Sequence, residues 1–254
     1  MIPNWRPLQD ELAVWEQHRL SLPLWWRDDD AISATPQLDR LIALSDTLGV
    51  PVHLAVIPKT CDTSLVARVD SSTLIPVVHG WAHLNHAPKQ EKKSEFRMHR
   101  SMPTIIGDAQ QGLDRLQDLF GERLAPMFVP PWNRIAPEVV AELPALGYRI
   151  LSTATPRATP NAAPELHQVN THLDPIDWRG TRGLVSPERL IDTTTALLRD
   201  RREGRSDNSE PFGVLTHHLV HDDAIWAFTH DLLHLLLDGP GVPWVATNEI
   251  RRPE

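Results

Sequence analysis

The strongest constraint on this chain is an alternation. Short apolar runs, each long enough for one buried strand, are separated by stretches with helical periodicity. Residues 22–26, 51–57, 74–78, 126–129, 148–152, 212–216 and 242–247 read as strands, with a weaker extended segment at 167–173. Between them Leu38, Leu41, Ile42 and Leu48, then Leu113, Leu116 and Phe120, and later Ile225, Phe228, Leu232 and Leu236 recur at helical spacing; residues 137–146 and 187–202 predict two further helices. Gly49 and Gly121 fall where helix ends are expected. Buried strands alternating with amphipathic helices predict βα units and a parallel sheet. Seven or eight units in 254 residues fit an α/β fold of the closed kind, a distorted (β/α) barrel of about seven parallel strands, better than an open sheet. No linker or internal repeat divides the chain, so one domain over 1–254 is expected.

Composition excludes several classes. With 41% hydrophobic residues the chain can build a sizeable core. No apolar run approaches the ~20 residues of a membrane span, and the start, Met1-Ile2-Pro3-Asn4-Trp5, lacks an apolar stretch after a basic one; a cytoplasmic location is the expectation. One cysteine, Cys61, rules out an intrachain disulfide framework. A net charge of −8 disfavours nucleic acid as a partner. Two counts are unusual, 13 histidines and 23 prolines.

The placement of polar side chains is more informative than their number. Asp28-Asp29-Asp30 ends the first apolar run, His79 the third, Pro130-Pro131-Trp132-Asn133 the fourth, and His217-His218 follows 212–216. In a parallel βα fold all strand C-termini open on one face, where these groups would converge. His79 and His83, four apart, would point the same way on a helical turn and could share a metal; the same spacing also occurs in helix starts with two solvated histidines, and His86 is an alternative ligand. Three adjacent carboxylates repel one another, which a cation would relieve, although acidic residues also favour a helix N-terminus. Trp81, Trp132 and Trp178 follow polar motif residues and would suit a sugar ring or serve as ordinary packing. His172, His221, His230 and His234 read as surface or helix-face residues. The charged stretch 88–103 reads as a lid or rim, or as a solvated loop.

Together these segments resemble the polysaccharide deacetylase family, whose common unit is the NodB-homology domain (carbohydrate esterase family 4). Arg27-Asp28-Asp29-Asp30 resembles its T-F-D-D motif, and His79-Gly80-Trp81-Ala82-His83 its H-[S/T]-x-x-H, with Gly80 in the hydroxyl position. Asp174-Pro175-Ile176-Asp177-Trp178 is similar to D-x-x-D-W, and Leu215-Thr216-His217 to the leucine–histidine motif. The third motif is partial: Pro130-Pro131-Trp132 fits, but Val129 stands where the family has arginine, so either the base is tuned differently or Arg27 or Arg134 substitutes. The resemblance implies a (β/α) barrel and metal-dependent removal of an acetyl group from an N-acetylated, or O-acylated, carbohydrate. It implies Asp30, His79 and His83 as ligands of one divalent cation, zinc first. Asp29 would be the general base, His217 the general acid, and Asp177 the residue that tunes His217. Trp178, Trp132 and Asn133 would line the substrate site. The aspartates admit two registers; this one keeps small Ala31, rather than a third charge, in the slot where the family has glycine, and leaves Asp28 non-catalytic. Hydrolysis of another C–N bond in a small amide, and a non-catalytic saccharide-binding relative, are the alternatives.

Overall fold

The computed structural model describes residues 3–246. Seven helices and nine strands follow in the order α1 (Arg6–Gln17), β1 (Leu22–Ala31), α2 (Pro36–Leu48), β2 (Val52–Val56), α3 (Thr63–Asp70), β3 (Ile75–His79), α4 (Met102–Phe120), β4 (Met127–Val129), α5 (Pro137–Glu142), β5 (Ile150–Leu151), β6 (Asn161–Ala163), β7 (Leu166–Gln168), α6 (Pro187–Arg202), β8 (Phe212–Thr216), α7 (Asp223–Asp238) and β9 (Gly241–Pro243). The helices start where the sequence supplies caps. Thr35 accepts from the Leu38 amide ahead of Pro36, Asp222 accepts from Ile225, and Gly49 closes α2 in the left-handed region.

The sheet order is β6-β7-β5-β4-β3-β2-β1-β8, with β9 added to the start of β1. Only the β6–β7 hairpin is antiparallel. The remaining path, β7-β5-β4-β3-β2-β1-β8, is seven parallel strands, and the chain just after β7 makes its seam. Val169 and Thr171 donate to Leu151 and Thr153 on one side, while Leu215 donates back to Leu173 on the other. The result is a curled, distorted (β/α) barrel.

Strand alternation then sorts the side chains. Trp25, Ala55, Val77, Met127, Val129, Ile150 and Val169 form a small interior cluster. Trp26, Leu54, Val56, Val78, Phe128 and Leu151 face outward into the larger core beneath the helices. Two details differ from the sequence reading. The first strand runs on through the aspartates to Ala31, because Arg27 and Asp28 still pair with β2 and β8. The last extended segment stops at Pro243, and Thr247 lies outside the described residues. Among the described residues, no helix is long and apolar enough to cross a membrane.

Candidate active site

Alternation on β1 sends Arg27 and Asp29 to the inner side and Asp28 to the outer side. Asp28 is fully buried there. Its carboxylate accepts from Thr216 Oγ1 at 2.6 Å and the His218 amide at 2.9 Å, and meets His218 Nδ1 at 2.5 Å. Burial alone would raise this carboxyl, but the His218 charge and these bonds hold it below its ordinary value. The pair ties the exit of β1 to the exit of β8 and so places His217.

A register irregularity between Asp28 and Ala31, with Asp30 at φ +75°, breaks the alternation at the end of the strand. Asp29 and Asp30 therefore both face one cleft of about 640 Å³, together with His79, His83, Trp132, Asn133, Asp174, Trp178 and His217. Asp30 Oδ1 lies 3.1 Å from His79 Nε2 and 3.3 Å from His83 Nε2. One donor atom from each of these three residues falls within 4.8 Å of the others. His79 Nδ1 donates to the Val129 carbonyl at 2.9 Å, which turns Nε2 toward the cluster. Burial opposes ionisation of Asp30, but the His79 hydrogen bond and the two imidazoles overcome it and hold the carboxyl far below the usual range. Two imidazole nitrogens and a carboxylate oxygen suit a divalent cation such as zinc and leave further coordination positions open. His86 stays outside this cluster.

The residues 80–83 do not form the expected helical turn; they are an irregular loop. Its organiser is Glu95, which the sequence reading did not single out. The buried Glu95 carboxylate accepts from the amides of Trp81, Ala82, His83 and Leu84 at 2.8 to 3.4 Å. Gly80 has φ +58°, and a Cβ there would lie 2.5 Å from Glu95 Oε2 and 2.6 Å from Pro131 Cδ. The hydroxyl residue of the resembled motif has no room here. The stretch 88–103 is thus split: Ser94, Glu95 and Phe96 are buried under the histidine loop, while Lys93 reaches the mouth of the cleft.

Of the two candidates for the arginine absent at Val129, Arg134 donates to the Lys93 carbonyl, and Arg27 is the one that reaches Asp29. Its Nη2 donates to Asp29 Oδ2 at 3.0 Å, and its Nε lies 2.9 Å from Asp29 Oδ1 as an ion pair whose angle falls short of a hydrogen bond. The same guanidinium donates to Asn133 Oδ1, Ser152 Oγ and the Thr153 carbonyl. Asn133 lines the cleft, but its amide oxygen is engaged by Arg27.

His217 stands across the cleft with its ring edge-on to Trp178, centroids 4.7 Å apart. Its Nδ1 is buried without a hydrogen bond among the described residues. Asp177 does not serve it, which corrects the sequence reading: the Asp177 carboxylate caps the turn that follows, accepting from the Gly180 and Thr181 amides. The carboxylate in the cleft is Asp174, which accepts from Trp178 Nε1 at 2.7 Å. Burial raises the Asp174 carboxyl, and the nearby His217 works against that rise. Of the other histidines, His172 is not a surface residue. Its side chain is buried between Glu210 and Arg201.

No family model and no curated protein sequence matches the chain. Solved structures do. The fold is the distorted (β/α) barrel of the family 4 carbohydrate esterases, the family that the motifs resemble. A protein from Mycobacterium smegmatis described as a polysaccharide deacetylase is similar with a TM-score of 0.58 at 16% identity, over 84% of this chain and 75% of that one. A family 4 carbohydrate esterase from Streptomyces lividans, solved with acetate, gives 0.55 at 11% identity over 88% and 92% of the two chains. A peptidoglycan deacetylase from Bacillus subtilis gives 0.52 at 12% identity over 88% and 87%.

Proposed function

We propose that this chain is a metal-dependent deacetylase of an N-acetylated, or O-acylated, carbohydrate. The observation that carries the proposal is one cleft holding the Asp30–His79–His83 cluster, the Arg27-clamped Asp29 and His217. Asp30, His79 and His83 would hold a divalent cation, for which zinc is the first choice by donor type. When bound, the cation would supply Lewis acidity to the acyl carbonyl and favour deprotonation of water.

The protein's own groups divide the remaining work. Asp29 takes a proton from the attacking water, and Arg27 fixes the carboxylate in the orientation that keeps a lone pair toward the cleft. His217 returns a proton to the leaving nitrogen, which departs poorly as an anion. Asp174, rather than Asp177, is the carboxylate of that segment that shares the cleft with His217. Trp132 and Trp178 wall the cleft and offer flat apolar faces to a sugar ring. The names of the structural neighbours, carbohydrate esterases and peptidoglycan deacetylases, support the substrate class.

Acetate release from a panel of N-acetylated oligosaccharides, before and after chelation, tests this reading. Release that stops on chelation and returns with zinc is expected. Release of a different acyl product from a non-sugar amide, or no release from any substrate, would overturn it.

A further inference from the structure

The mouth of the cleft is built of unpaired cations. Lys93, Arg134 and Arg182 line it directly. Arg179 lines the adjoining depression beside Asp174 and Trp178, and Arg97 lines the groove on the side of Asn133. The chain carries 33 acidic residues against 25 basic ones. Yet among the described residues none of these five side chains makes an ion pair, although ion pairs occur widely elsewhere on the molecule. Three nearby acidic groups are committed otherwise: Glu95 to the histidine loop, Glu91 to His99, and Asp177 to its turn.

The two tryptophan walls are cationic as well as apolar. Lys93 Nζ lies 6.0 Å from the Trp132 ring centre, and the Arg182 guanidinium 5.6 Å from that of Trp178. Arg134 feels the charges of both Arg97 and Arg179, which together with burial lower its affinity for its proton. The cleft's own carboxylates are engaged elsewhere, Asp29 by Arg27, Asp30 by the two histidines and Asp174 by Trp178. The gathered cations therefore repel one another, and a bound anion lowers that cost. Arginine in particular presents a planar fork that matches carboxylate and phosphate.

We propose that the substrate carries a fixed negative group, a carboxylate or a phosphate, beside the acyl group to be removed, and that this cationic mouth is its subsite. The inference rests on the deacetylase reading for the acylated sugar, but the charge recognition is a matter of binding and is measurable without turnover.

Calorimetric titration of the zinc-loaded chain at low salt tests it. The probes are N-acetylglucosamine, N-acetylmuramic acid and N-acetylglucosamine 1-phosphate, with inorganic phosphate as the control for direct capture by the metal. At least one anionic sugar should bind roughly tenfold or more tightly than the neutral one, with the preference shrinking as salt is added. The tighter of the two identifies carboxylate or phosphate as the group recognised. The triple variant Arg134→Gln, Arg179→Gln, Arg182→Gln should erase the preference. Lys93→Gln with Arg97→Gln, which removes charge from the other side, should reduce it. Equal affinities in the wild type, a preference that survives the triple variant, or no binding of any sugar would overturn the proposal. Acetate release without charge preference would leave the deacetylase reading standing and remove this one. Charge preference without acetate release would do the reverse.

Discussion

Arg27 and Asp29 sit two residues apart on β1, and their side chains meet on the inner face of the barrel with Nη2 3.0 Å from Oδ2 and Nε 2.9 Å from Oδ1. Both are buried. Val129, where the resemblance implied an arginine on β4, packs inside the barrel, and the arginine that meets Asp29 comes from β1. Arg27→Gln should lower kcat by about 10- to 100-fold with metal content unchanged. It should also destabilise the fold, by roughly 3 kcal/mol or more, because Asp29 is left buried without its partner. Steady-state kinetics and metal analysis on the same preparation check this; unchanged kcat would remove Arg27 from the account.

Glu95 holds the histidine loop through four backbone amides. Glu95→Gln keeps the shape but turns an NH₂ group against amide donors. The change should cost about 2 kcal/mol in stability and weaken zinc binding by roughly 10- to 100-fold. Competition with a fluorescent chelator measures the second effect. Native zinc affinity in the variant would show that His83 is placed without Glu95.

The two aspartates of the 174–178 segment should separate. Asp174→Asn should reduce kcat with metal content unchanged, since this carboxylate shares the cleft with His217. Asp177→Asn should change stability slightly and leave kcat in place. His217→Ala should lose turnover and keep its metal. A reduced kcat in Asp177→Asn alone would restore the assignment made from the sequence.

Acid should destabilise the barrel through His53, which is buried between Trp25 and Trp244. Burial lowers its pKa from 6.5 to about 4, only partly offset by its bond to the Trp26 carbonyl. Between those values the unfolded chain binds the extra proton, so stability rises with pH across that window and falls as acid is added. The loss by pH 4 should be roughly 3 kcal/mol. His221, likewise lowered to about 4 by burial, adds to it. Urea unfolding of the wild type and His53→Gln at pH 7, 5.5 and 4.5 reads the effect. A wild-type midpoint that stays constant over this range would contradict it.

Most of the barrel was legible in the sequence because β1 to β5 and β8 each carry an apolar run, whereas β6 (Asn161–Ala163) and β7 (Leu166–Gln168) carry none. The seam was weaker, since residues 167–173 bury polar side chains, Asn170, Thr171 and His172, among the apolar ones and pair with different neighbours along their length. Glu95 left no pattern to read: its partners are backbone amides, which every residue has. Arg27 did leave one, as its i, i+2 relation to Asp29 on a strand places both on the same face. The D-x-x-D-W segment supplies two carboxylates, and only the turn at Gly180 decides which of them faces the cleft. His172 was misplaced because Arg201 and Glu210, its buried partners, lie about 30 and 40 residues further along the chain.

The most direct test separates the metal ligand from the base. Wild type, Asp29→Asn and the double variant His79→Ala, His83→Ala should be stripped, reloaded with zinc, and assayed in parallel for bound zinc and for acetate released from an N-acetylated saccharide. The expected result is one zinc in the wild type and in Asp29→Asn, none in the double variant, and acetate release by the wild type alone. Stoichiometric zinc in the double variant, or full acetate release by Asp29→Asn, would contradict the account.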